Sequence, residues 1–88
     1  MNIQDAPHGI NIVVETHTGR VYIGRFDSLN TFQALMHDCD VRDFAAGEER
    51  EAFIRETVTY GIDVKERDTM VDVLQVARVR LLRDIQKL

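Results

Sequence analysis

The 88-residue chain has no tryptophan, one proline and one cysteine, and its acidic side chains outnumber its basic ones. A single cysteine, Cys39, cannot form a disulfide within the chain. No apolar run approaches the roughly 18 residues that a membrane-spanning helix needs, and no signal-peptide pattern is present. From these absences we expect a cytoplasmic protein without a membrane partner.

The formal net charge of −4 limits how this chain can bind nucleic acid. Nonspecific affinity depends on lysine and arginine side chains that release counterions from phosphates, so a general basic surface is excluded and any such site must be local. With 44% hydrophobic and 30% charged residues, the composition is that of a folded globular domain. Because so short a chain supports only a modest core, we expect a single domain, 1–88, that gains from homo-oligomerisation.

The N-terminal third of the chain has the pattern of a β-hairpin. Residues 1–9 have no helical period and are predicted to form an arm, whereas apolar side chains alternate along residues 10–14. Gly19 accepts a positive φ at little cost, which suits a turn before a second strand at 20–28. Gly24, inside that strand, would let it bend sharply or let another backbone approach closely.

Two later segments carry conflicting signals. Residues 31–44 combine a helix-forming stretch with a D-C-D sequence that is unusual inside a stable helix, and we favour a third strand at 33–44. Residues 48–56 fit a helix or a strand, whereas 57–64 alternate β-branched residues with others. We favour two short strands, the fourth and fifth, joined at residues 55–57.

The C-terminal segment, residues 68–88, has the most regular pattern. Asp68 or Thr69 can cap a helix, and basic residues crowd the end that the helix macrodipole favours for them. Apolar residues recur there at spacings of four and three: Met70, Leu74, Ala77, Leu81, Ile85 and Leu88. The pattern predicts a long C-terminal α-helix, whose basic end is a solvated face, a nucleic-acid contact or a protein interface.

The first half of the chain resembles the first sequence motif of Sm and LSm proteins. The shared features are a turn glycine, an aromatic strand residue, a second glycine, an apolar residue and an acidic sequence: Gly19, Tyr22, Gly24, Phe26 and residues 38–40. A weaker similarity to the second motif covers residues 53–55 and the apolar residues after them. The resemblance implies a mainly β fold, a small, strongly bent five-stranded antiparallel barrel over residues 10–67. It also implies a ring in which strand four of one copy joins strand five of the next.

The resemblance also implies a nucleic-acid site. In this family, the loops after strands two and four meet at the inner rim of the ring and hold one nucleotide per subunit. The resemblance assigns Phe32 to base stacking, Gln33 to the base edge, Arg55 to the opposite side of the nucleotide and Asn30 to organising the loop. An aromatic ring, an amide and a guanidinium suit these tasks. Glu56 departs from the family, which has a glycine after the arginine.

The alternative reading of these side chains is structural. Phe32 is then a core aromatic, Gln33 a polar residue at a strand end, and Arg55 an ordinary surface ion-pair partner. Among other reactive types, His37 points away from Asp38 and Asp40 in a strand, which disfavours a metal site. Cys39 lacks an oxyanion-stabilising motif near it. We therefore predict no catalytic residue, no metal and no cofactor.

Two functional hypotheses follow from the sequence. The leading one is a ring-forming Sm-like protein that binds single-stranded RNA or DNA, with a role in RNA or DNA processing or chaperoning. The alternative is an Sm-fold protein-interaction or scaffold module that does not bind nucleic acid. Phe32, Gln33 and Arg55 favour the first hypothesis, and the acidic balance of the chain favours the second.

Overall fold

The computed structural model describes residues 1–88 and contains five β-strands and one α-helix. The strands are β1 Asn11–Thr16, β2 Arg20–Leu29, β3 Gln33–Asp43, β4 Glu66–Asp72 and β5 Val76–Leu81, and the helix is α1 Gly47–Tyr60. Three short 3-10 turns complete the chain at Ile3–Asp5, Val73–Gln75 and Leu82–Asp84. No helix is long and apolar enough to cross a membrane.

All five strands belong to one antiparallel sheet in the order β4-β3-β2-β1-β5. This confirms the mainly β, five-stranded antiparallel prediction in its coarse form. No ladder joins β4 to β5 and the sheet is not closed, so the small, strongly bent barrel predicted over residues 10–67 is wrong. The two edge strands are connected only by the turn Val73–Gln75, which brings their ends near each other.

The predicted hairpin of β1 and β2 and the predicted third strand are present. Gly19 turns the chain with φ 89°, a left-handed conformation in which a side chain would be strained. Gly24 lies where β2 and β3 approach closely: a Cβ there would collide with the Cys39 sulfur and stand 2.8 Å from the His37 carbonyl oxygen. The ladder shifts register at this point, and Asp38 has φ 52°. The close approach predicted at Gly24 is confirmed.

The sheet is covered on both faces, which explains why β1 is buried along almost its whole length. We define the outer face as the one that α1 covers, where Phe53 and Ile54 pack with Val13. The inner face carries the larger core cluster, which includes Ile12 of β1 and Ile3 of the N-terminal turn. The arm predicted at 1–9 is therefore partly structured, because burial of Ile3 attaches it to the core.

The segment predicted to form strands four and five is the helix α1. Glu48 and Glu49 lie in its first turn, where acidic side chains complement the macrodipole. Thr57 follows Phe53 by one helical turn, is also buried, and donates its hydroxyl to the Phe53 carbonyl. Gly61, with φ 97°, ends the helix. Packing of this face outweighs the β propensity of the threonines and valine near the helix end.

The prediction of a long C-terminal helix is wrong. Residues 68–88 form most of β4, the turn Val73–Gln75, β5 and the turn Leu82–Asp84. Four of the six residues of the predicted apolar stripe are exposed: Met70, Leu74, Ala77 and Leu88. Helix propensity is a weak local preference, and here the burial of Thr69 and Val71 in β4 and of Val79 in β5 outweighs it.

Candidate functional site

Three of the four predicted site residues lie in the loop between β2 and β3 and at the first position of β3. The Asn30 side-chain oxygen accepts hydrogen bonds from the backbone N–H groups of Phe32 and Gln33, at 2.9 and 2.8 Å. The Asn30 backbone N–H donates to the Gln33 carbonyl at 2.9 Å. These bonds fix the loop and leave the Phe32 side chain exposed, so Phe32 is not a core aromatic.

The neighbour of this loop is the turn Val73–Gln75 between the edge strands. The Val73 N–H donates to the Phe32 carbonyl at 2.9 Å, and Gln33 pairs with Asp72 in the β3–β4 ladder. The Asp72 carboxylate accepts the N–H of Leu74, whose side chain is exposed. The charge nearest the loop in this ladder is therefore negative, which opposes the approach of phosphate.

Arg55, the fourth predicted site residue, lies on α1, where its guanidinium donates to the Gln86 and Lys87 carbonyls at 3.2 and 2.9 Å. This side chain fastens the C-terminal segment to the helix and is not brought to Phe32. The sequence placed it wrongly because residues 53–55 belong to a helix and not to a strand that ends in a loop.

The two edge strands expose opposite charges on the same face of the sheet. On β4, Thr69 and Val71 are buried, so the alternate residues point to the outer face, among them Glu66, Asp68 and Asp72. On β5, Val79 belongs to the inner core, and the outer-face side chains are those of Arg78 and Arg80: Arg78 pairs with Glu15, and Arg80 pairs with Val13 of the outer core.

A network of charged side chains lies between β5 and α1. Its centre is the buried Glu15, whose carboxylate is 3.1 Å from Arg50, 3.1 Å from Arg80 and 3.5 Å from Arg78. Arg80 also donates to both carboxylate oxygens of Glu51 at 3.0 and 2.8 Å, and these bonds lower the pKa of Glu51 and raise that of Arg80. This network could not be predicted from the sequence, because its members are joined by strand pairing and helix packing and not by local spacing.

A second charged cluster spans β2, β3 and β4. The two ring nitrogens of His37 contact Asp27 at 2.5 Å and Asp68 at 2.7 Å. The hydrogen bond to Asp27, followed by that to Asp68, raises the pKa of His37, and the same bond to His37 lowers the pKa of Asp27. The two carboxylates meet different nitrogens of one ring, so this is an ion-pair bridge between strands.

The other residues weighed for chemistry have separate partners. Asp38 pairs with Arg25 at 3.0 Å, and the buried Asp40 lies 3.5 Å from the Lys65 ammonium. Cys39 is fully buried, and burial, followed by the charges of Glu66 and Asp38, raises the pKa of its thiol to about 12. The thiol is therefore protonated near neutral pH and is a poor nucleophile there.

Comparison of the chain with models of known protein families and with curated protein sequences finds no match.

Proposed function

We propose that this protein is an Sm-like scaffold whose copies assemble head to tail, β4 of one copy pairing with β5 of the next. The observation that carries the proposal is that the two unpaired edge strands expose opposite charges on the same face of the sheet. An unpaired edge presents free N–H and C=O groups that another strand can satisfy. Because one copy has two different edges, the contact is heterologous. Such contacts close into a ring when the rotation from one copy to the next is a whole fraction of a turn.

Charge complementarity supports pairing of β4 with β5 over pairing of β4 with β4. In a sheet that continues from one copy to the next, the outer faces are continuous, so Glu66, Asp68 and Asp72 of β4 meet Arg78 of β5 on the same side. Opposite charges across paired strands contribute about 0.2–1 kcal/mol per pair, and like charges destabilise by similar amounts. Pairing β4 with β4 would oppose three carboxylates to three carboxylates, and this disfavours a symmetric dimer.

Reversed charges test the proposal. The β4-reversed variant carries Glu66→Lys and Asp68→Lys, and the β5-reversed variant carries Arg78→Glu. Each is expected to assemble less than the wild type, because both of its edges then carry the same sign. A mixture of the two is expected to assemble again, since every contact between unlike copies pairs opposite charges.

Light scattering over a range of protein concentrations measures the outcome, and Arg83→Glu, on the turn Leu82–Asp84, is the matched control away from the edges. Recovery in the mixture also shows that both variants are folded. A wild-type species of 10.1 kDa at high micromolar concentration would overturn the proposal. Reversed variants that assemble as the wild type does would refute the charge pairing.

A second candidate function is binding of single-stranded nucleic acid at Phe32, Gln33 and Asn30. The observation that favours it is that Phe32 is 69% exposed on a loop already held by Asn30, as a stacking platform requires. Titration of fluorescent oligo-U and oligo-A tests it. Phe32→Ala should weaken binding, and Tyr60→Ala, which removes an aromatic that is 80% exposed elsewhere, should not. Absence of wild-type binding at low salt would rule out this function.

A further inference from the structure

A cleft of about 550 Å³ lies between α1, β5 and the C-terminal segment. Its charged lining residues come from the helix, the edge strand and the turn after it: Arg55, Arg78, Arg80, Glu51 and Asp84. Clefts of this volume hold small molecules, and the convergence of three guanidinium groups favours an anion.

Two of the three arginines, Arg55 and Arg78, keep donors free after their internal contacts. Arg55 uses Nε and one terminal nitrogen for backbone carbonyls, which leaves the other terminal nitrogen. Arg78 is 57% exposed and approaches Glu15 only at 3.5 Å, so its donors are available. Arg80 gives both terminal nitrogens to Glu51 and Glu15, and its Nε is the one buried side-chain polar atom of the chain without a hydrogen-bond partner.

The positive charges of the three arginines are compensated by their neighbours to different extents. Glu15 and Glu51 neutralise Arg80 and hold its guanidinium in place. Arg55 donates only to neutral carbonyls, so its positive charge stays uncompensated by these contacts. The charge of Arg78 is compensated only weakly, because its contact with Glu15 is long. An anion in the cleft would gain two charge-assisted contacts from groups already positioned by the fold.

We propose that this cleft binds the phosphate group of a small phosphorylated molecule, with Arg55 and Arg78 as its ligands. Phosphate matches this donor set better than carboxylate, because it offers more acceptor oxygens to guanidinium groups that arrive from different elements. Glu51 and Asp84, at the same cleft, disfavour a second anionic group and suit hydroxyl groups of the attached molecule. All these residues belong to one chain, so the site does not require assembly.

Titration with inorganic phosphate tests the site, with chloride at the same ionic strength as the comparison. The readout is the NMR signal of each arginine Nε–H group. The signals of Arg55 and Arg78 should move and saturate together, and that of Arg83, which lines a different cleft, should stay in place. No saturable movement, or equal movement in chloride, would overturn the proposal.

Arg78→Ala should weaken phosphate binding roughly tenfold or more, the loss expected for a charge-assisted hydrogen bond. Arg83→Ala removes the same charge outside the cleft and should change affinity little; equal weakening by both variants would mean a nonspecific field effect and would count against the site. Because Arg78 also belongs to the proposed assembly edge, the titration is repeated in the β4-reversed variant, whose cleft is intact. Binding retained there supports the phosphate site whether or not the chains assemble, and binding lost there refutes it.

Discussion

The two edge strands are attached to the molecule by different chemistry. β5 is attached by the ion-pair network around the buried Glu15 of β1, in which arginines from β5 and α1 share one carboxylate. β4 is held by the bridge from Asp68 through His37 to Asp27, and at its end by the Val73 N–H bond to the loop that Asn30 fixes. Arginine and carboxylate keep their charges over a wide pH range and histidine does not, so only the attachment of β4 depends on pH near neutrality.

The largest effect is expected at Glu15, on the β5 side of this comparison. Glu15→Gln should lower the free energy of unfolding by roughly 3 kcal/mol, because it removes the buried carboxylate that the partly buried Arg50 and Arg80 share. Urea denaturation measures the loss. Glu56→Gln, an exposed position on α1 without an ion pair, should stay within about 0.5 kcal/mol of the wild type. A loss at Glu15 as small as at Glu56 would show that the network does not hold β5.

Gly24→Ala tests how closely β3, the only sheet neighbour of β4, must approach β2. The added methyl group meets the Cys39 sulfur and the His37 carbonyl, and we expect a loss of about 2 kcal/mol from overpacking. Gly47→Ala is the matched control, since its new methyl group meets only the flexible end of Arg50 at 3.4 Å. Equal thermal stabilities of the two variants would argue against a tight approach at Gly24.

Asn30→Ala tests the anchor at the end of β4. Loss of the two hydrogen bonds that its side chain accepts should cost about 1 kcal/mol and should speed hydrogen exchange at the Val73 amide, which bonds to the same loop. Asn11→Ala, exposed and without a side-chain hydrogen bond, is the control. Unchanged exchange at Val73 would mean that β4 is anchored independently of Asn30.

The smallest effect is expected from the His37 bridge, and its sign follows from the pKa shifts. The pKa of His37 is raised from 6.5, so its stabilisation is complete below that pH and is lost as pH rises through the folded-state pKa. The pKa of Asp27 is lowered from 3.8, so its contribution is present above that pH and is lost at more acidic pH.

Thermal unfolding at a series of pH values measures this dependence. His37→Gln should remove the decline of stability on the alkaline side, whereas His17→Gln, outside the bridge, should retain it. A wild type with no decline there would contradict the bridge.

Sequence reasoning succeeded where local chemistry decides the structure. The positive φ at Gly19 and the close approach at Gly24 each follow from what a glycine can do in a turn or a strand, whereas the loop-organising role of Asn30 was implied by the resemblance to Sm proteins. It failed where tertiary packing decides. α1 forms because Phe53 and Ile54 cover the outer face of the sheet, a surface that exists only after β1 and β2 have paired.

The C-terminal error has a similar cause. Apolar residues of β4, of the turn Val73–Gln75, of β5 and of the chain after it recur at helical spacing, although most of them are exposed and do not form one buried face. With that segment misassigned, both edge strands and the outer-face position of Arg78 and Arg80 could not be predicted. The loop position of Phe32 could therefore be predicted from the sequence. The position of Arg55 on a helix could not.

The buried thiol of Cys39 can report on the local opening of β2 and β3. A small thiol-specific reagent cannot reach a sulfur packed between β2 and β3, so labelling must wait until these strands separate. When reclosing is fast, the labelling rate gives the free energy of that opening, and when it is slow, the rate gives the opening step itself. Labelling of this one native residue thus measures the local opening of β2 and β3, the strand pair next to the edge strand β4, in the folded state and without denaturant.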